Sequence, residues 1–114
     1  MIERQMTGGA TPLILPEHCS VYDSMKRRLE DIAAVREVVG QSVAPDALVV
    51  GLVVDTDDED VWDSVADIEF ETATDDPEVA LVFKECDLRS QSLEEFKAEL
   101  SPALAELVRF DGPD

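Results

Sequence analysis

The apolar residues fall into one continuous run and two periods, and these set the expected elements. The run is Ala47 to Val54, ALVVGLVV, apolar on both sides of a pleat and rich in β-branched side chains. It predicts a strand over residues 48–55 buried on both faces, and so the centre of a sheet. Gly51 in its middle weakens a strand, which implies a close-packed neighbour such as the first helix. Ahead of the run, Met25, Leu29, Ile32, Val35 and Val39 recur at helical spacing. Ser20-x-x-Asp23 offers a capping box with Asp in place of Glu, and Gly40 stands where a helix stops. A helix over residues 21–39 is expected, with Pro45 closing the loop that follows. The segment TPLILP, residues 11–16, is fenced by prolines and predicts an edge strand or an extended arm packed on a neighbour.

Beyond the run the period is mixed. Thr56-x-x-Glu59 repeats the capping-box pattern, and Val61, Trp62 and Val65 share one helical face, so a short helical turn over residues 57–65 with Trp62 buried is expected. A strand with Trp62, Ala66, Ile68 and Phe70 on one side competes with it. From residue 66 to residue 88 alternation takes over: Ile68, Phe70 and Thr72 face one way, Asp67, Glu69 and Glu71 the other. That describes an antiparallel strand with one wet face, turning at Asp75-Asp76-Pro77-Glu78 into a deeper returning strand over residues 79–86. Ser92-x-x-Glu95 then caps a final helix with the stripe Leu93, Phe96, Leu100, Leu104 and Leu107. Pro102 either bends this helix or follows Ser101 as the first residue of a second segment. The expected architecture is α+β, a two-layer sandwich of three or four mainly antiparallel strands with two long helices on one face. Residues 11–110 form its single domain, with residues 1–10, which include Gly8-Gly9, and residues 111–114 as flexible ends.

Composition alters this picture chiefly through charge. The 114 residues carry 27 Asp and Glu against 9 Lys and Arg, a net charge of −18, while 45% of the chain is hydrophobic. A core of ordinary size is therefore available, and the acidity belongs to the surface. Self-repulsion on this scale opposes folding at low ionic strength, and molar salt shortens the screening length to about 3 Å and relieves it. An acidic, Lys-poor surface around an ordinary core looks like the cytosolic proteins of extreme halophiles. Direct DNA or RNA binding is disfavoured by charge, whereas imitation of a phosphate backbone, to inhibit a basic partner, is not. Without an apolar run of spanning length or a signal peptide, a soluble cytoplasmic protein with no membrane association is expected. Cys19 and Cys86 are expected as free thiols there.

The acidity is uneven. Residues 1–44 hold six acids and five bases, leaving 21 acids and four bases for residues 45–114. The near-neutral first helix should therefore contact something, either the acidic part of its own chain or a second protomer. Leu13, Leu15, Lys26, Arg27, Arg28 and Arg36 are the candidate interface residues. Arg36 falls within the apolar stripe, where a guanidinium needs a carboxylate or carbonyl partner unless it snorkels outward from the last turn.

The second constellation is Asp55-Thr56-Asp57-Asp58-Glu59-Asp60, at the end of the central strand. Clustered carboxylates at a strand end suit a hard cation, with Asp55, Asp57 and Asp58 as candidate ligands. The strand followed by Asp55-x-Asp57 resembles the first motif of the haloacid-dehalogenase-type phosphotransferases, but Glu59 stands where that family has Thr or Val. The chain is also shorter than that fold. His18 and Cys19 are adjacent, and neighbouring residues in a loop rarely address the same atom as base and nucleophile. These features point to a non-catalytic protein without a cofactor that acts by protein association, as a homodimer. A domain binding a divalent metal or small ligand through residues 55–60 is the alternative.

Overall fold

The computed structural model describes residues 13–110. It is α+β, with a three-stranded mixed sheet of order β1-β2-β3 and four helices. In chain order these are α1 (Pro16–Glu30), β1 (Val35–Ala44), β2 (Ala47–Val54), α2 (Glu59–Asp75), β3 (Ala80–Asp87), α3 (Leu93–Ala98) and α4 (Pro102–Leu107).

β2 is the central strand and is buried on both faces, as its continuous apolar run requires. Leu48, Val50, Leu52 and Val54 point to one side, where Val21, Tyr22, Met25 and Leu29 of α1 and Val65 and Ile68 of α2 cover them. Val53 points to the other, against Phe96, Leu100, Leu104 and Val108. The two long helices, α1 and α2, therefore share one face of the sheet, and the short α3 and α4 cover the other, which the expected sandwich left bare. The close neighbour of Gly51 is accordingly α3, not the first helix: a Cβ there would sit 3.4 Å from the Phe96 ring and 3.2 Å from Val39.

The first helix is shorter than its apolar spacing suggests. α1 ends at Glu30, with Asp31 as its C-cap, and residues 35–44 form a strand antiparallel to β2. A β-bulge at Arg36 explains the misleading pattern, because Val35 pairs with Val54 while Glu37 pairs with Val53. The extra residue puts Val35 and Val38 three apart on one face of a strand, a spacing that otherwise signals a helix. Gly40 lies within β1, its α-carbon pressed against the Tyr22 ring, and is not a helix stop. The start of α1 also precedes the Ser20-x-x-Asp23 pattern, with Pro16 at the first position, where its missing N–H costs nothing. Pro45 and Asp46 make the tight turn between β1 and β2.

Residues 59–75 form one helix, which replaces both the short turn and the first strand of the expected hairpin. Trp62, Val65, Ile68 and Thr72 keep helical spacing and face the core, Trp62 half-buried rather than fully buried, while Phe70 is 72% exposed. The alternation of Ile68, Phe70 and Thr72 was thus a coincidence of short range. A long crossover helix permits β3 to lie parallel to β2, with Ala80 beside Ala47 and Asp87 beside Val54, rather than antiparallel.

The C-terminal segment divides at Pro102, as one of the two sequence readings has it. Ser92 and Glu95 form a complete capping box on α3, and Ser101 Oγ accepts from the Leu104 N–H to cap α4. Of TPLILP, Thr11 and Pro12 lie outside the described residues. Leu13 to Leu15 form a bend, not a strand, although the Leu13 carbonyl accepts from the Ser42 N–H at 2.7 Å on the outer edge of β1.

Candidate functional site

A concavity follows the outer edge of β1. It has a volume of about 640 Å³ and is bounded by Leu13, Ile14 and Tyr22 on one side and by Ala103, Glu106 and Leu107 on the other. Val38, Val39 and Gly40 form its floor. Because the Ser42 N–H points outward to Leu13, strand alternation turns the N–H and C=O of Gly40 and Val38 outward as well, into the groove. Backbone donors and acceptors are thus presented between apolar walls. Burial, and then the charges of Glu30, Asp23 and Glu37, push the Tyr22 hydroxyl well above its ordinary range, so it remains a neutral donor at the wall.

Both ends of the groove are fixed. At one, fully buried His18 ties α1 to the β1–β2 turn. Its Nε2 lies 2.9 Å from the Pro45 carbonyl, which can only accept, so Nε2 carries the proton. Nδ1 then accepts from Ser42 Oγ at 2.6 Å, and that oxygen accepts from the Leu15 N–H at 2.9 Å. Cys19 is exposed and directs its Sγ to the Leu15 carbonyl, so no His–Cys pair forms. At the other end, Glu37 Oε1 accepts from the backbone N–H groups of Arg109 and Phe110. The Arg36 guanidinium sits 5.3 Å from the centre of the Phe110 ring. Arg36 is thus exposed on a bulge and stacked on an aromatic face, rather than set in a helical stripe.

The other candidate interface residues are distributed. Leu13 lines the groove, and Leu15 precedes α1 as its N-cap residue. Lys26 pairs with Glu30 at 2.9 Å, and Arg28 pairs with Glu71 of α2. Arg27 is exposed in the last turn of α1. Part of the basic character of the first helix is therefore answered by the acidic part of its own chain.

The acidic cluster is occupied by the start of α2. Asp58 is the N-cap residue, its Oδ1 accepting from the Asp60 N–H at 2.9 Å, and Thr56 Oγ1 accepts from the Asp58 N–H at 3.0 Å. Trp62 Nε1 donates to the Thr56 carbonyl at 3.0 Å, which locks the loop onto the helix. Asp57 faces Arg89 at 3.6 Å, and the Asp55 N–H donates to the Ala34 carbonyl. Among the described residues no group of three or more His, Cys, Asp or Glu side chains is arranged to hold a metal ion. No helix among them is long and apolar enough to cross a membrane.

One ionisable pair escaped the sequence reading. Glu69 of α2 and Glu85 of β3 meet between helix and strand, and Glu69 Oε2 is shielded from solvent with no donor among the described residues bonded to it. Burial first, then a hydrogen bond to Glu85 and repulsion from its charge, push the Glu69 carboxyl up to about 9. Two carboxylates in this position must share a proton. Cys86, buried on the opposite face of β3, has its thiol pushed up by burial and then by Asp87 and Glu99.

No protein-family model matches the chain, and no curated protein and no solved structure resembles it.

Proposed function

We propose that this is a non-catalytic acidic protein of a salt-rich cytoplasm that acts by protein association, and that the β1 groove receives an extended segment of a protein partner. The observation that carries the reading is the pair of outward-facing backbone groups of Val38 and Gly40 on the floor of an apolar-walled groove. A segment laid along them adds a strand: main-chain bonds supply affinity, and alternate side chains reach the two walls. Leu13, Ile14, Tyr22 and Leu107 favour apolar side chains, while Glu37 and Glu106 favour basic ones between them. The net charge of −18 supports the salt-rich setting, since a folded chain of this charge is stabilised by screening.

The test is amide hydrogen exchange in molar KCl with a blocked heptapeptide of alternating valine and arginine. The Val38 and Gly40 amides should gain protection, and Leu107→Glu should abolish the gain while the far-ultraviolet circular dichroism stays unchanged. Unaltered exchange at both amides with millimolar peptide contradicts the assignment.

A further inference from the structure

β3 is the other edge of the sheet, and no strand among the described residues pairs with its outer side. The Ala80 N–H donates to the Asp46 carbonyl and the Leu88 N–H to the Val54 carbonyl, so the even-numbered amides face β2. Leu81, Phe83 and Glu85 consequently turn their N–H and C=O groups outward, where no group among the described residues bonds them. Natural edge strands are blunted by proline, bulges or covering segments. β3 carries charges at Lys84, Glu85 and Asp87 but, among the described residues, no proline, bulge or covering segment: its register against β2 is unbroken from Ala80 to Asp87, and Val82 is 44% exposed. β1, by contrast, is bulged at Arg36 and bonded by Leu13.

We propose that β3 is a self-pairing edge, through which two copies of the chain join across a two-fold axis at Val82 into one continuous sheet. This rests on the association reading and names a partner, a second copy, at a surface separate from the groove. Charge selects that occupant. Residues 79–84, VALVFK, form an acid-free strip in a chain of net charge −18, and among the described residues no carboxylate lies within ion-pair distance of Lys84. Antiparallel pairing about Val82 sets Leu81 opposite the partner's Phe83, Ala80 opposite the partner's Lys84 and Val79 opposite the partner's Glu85. Lys84 then lies diagonal to Glu78 of the partner subunit, within reach of a long side chain. Moving the axis to Phe83 would bring Lys84 diagonal to its own copy. Moving it to Lys84 would put the two ammonium groups face to face. The edge is thus complementary to itself about Val82 and not about Phe83 or Lys84, as an isologous interface requires. The repulsion between two acidic bodies outside the strip makes the dimer a molar-salt species.

The register supplies the test. On the axis, position 82 forms a non-hydrogen-bonded pair with Cα atoms about 4.5 Å apart, which a disulfide can bridge. Position 84 lies about 13 Å from its symmetry mate, beyond bridging. In a Cys19→Ser background and molar KCl, mild oxidation should link Val82→Cys into a covalent dimer and leave Lys84→Cys unlinked. Val82→Lys places like charges on the axis and should weaken dimerisation on the order of a hundredfold by light scattering, with circular dichroism unchanged. A dimer in which Val82→Cys does not link and Val82→Lys has no effect overturns the β3 assignment and leaves association standing. A monomer at all salt concentrations also overturns it, and the peptide titration at β1 then decides the association reading separately.

Discussion

Replacing Glu69 by Gln should stabilise the protein, and by an amount that depends on pH. The Glu69 carboxyl is pushed from 4.5 up to about 9 in the native state. Between those values the native state holds a proton that the unfolded state has released, so this group makes stability fall as pH rises. Below about 4.5 both states are protonated, and the group contributes no slope. At ~1.4 kcal/mol per pH unit the full interval corresponds to about 6 kcal/mol. Glu69 is only half-buried and shares its proton with Glu85, so screening reduces this to about 2 kcal/mol at pH 8. Gln keeps the shape, stays neutral throughout and offers Glu85 the donor that the carboxylate lacks. The assay is urea unfolding of both proteins in molar KCl at fixed protein concentration, from pH 5 to pH 8.5. The difference between them cancels the titration of the carboxylates other than Glu85, which is coupled to Glu69. Glu69→Gln should gain about 2 kcal/mol at pH 8 and within about 0.5 kcal/mol of nothing at pH 5. Parallel curves, or a loss at pH 8, would refute the shared-proton account.

Three further outcomes follow from the packing. Ser42→Ala removes the partner of both the Leu15 N–H and His18 Nδ1, and should cost about 1–3 kcal/mol in the same urea assay; an unchanged midpoint would mean the tie is incidental. Gly40→Ala places a Cβ 2.4 Å from the Tyr22 ring and should cost about 1–3 kcal/mol, a penalty that a simultaneous Tyr22→Ala removes in a double-mutant cycle. With a thiol reagent in molar KCl, Cys19 should react at once and buried Cys86 only on unfolding, and two fast thiols by mass spectrometry would contradict the placement of β3.

The parts legible in the sequence are those whose local signals agree with the fold. β2 is read from its unbroken apolar run, and α3 and α4 from Ser92, Glu95, Ser101 and Pro102, because burial, capping and proline chemistry all act within a few residues. The start of β1 was hidden by a bulge, which turned a strand's spacing into a helix's at Val35 and Val38. α2 was divided because three alternate residues, one of them the exposed Phe70, outweighed a longer helical series. The direction of β3 depends on the length of the crossover before it, so misreading α2 also reversed β3. The groove, the His18 tie and the Glu69–Glu85 contact join residues 16 or more positions apart. Their residue types alone carry no sign of that contact. Leu13, whose proline-fenced setting suggests an interface, lines the groove, and Arg28 meets Glu71 of its own chain.

The most direct test of association in salt is light scattering coupled to size exclusion, with circular dichroism in parallel, from low ionic strength to molar KCl. Helical and strand signals should strengthen as salt rises, and the molar mass in molar KCl should be twice that of the chain. A fully folded monomer across the whole series would contradict self-association and the salt-dependent fold, leaving partner binding at the β1 groove to the peptide titration.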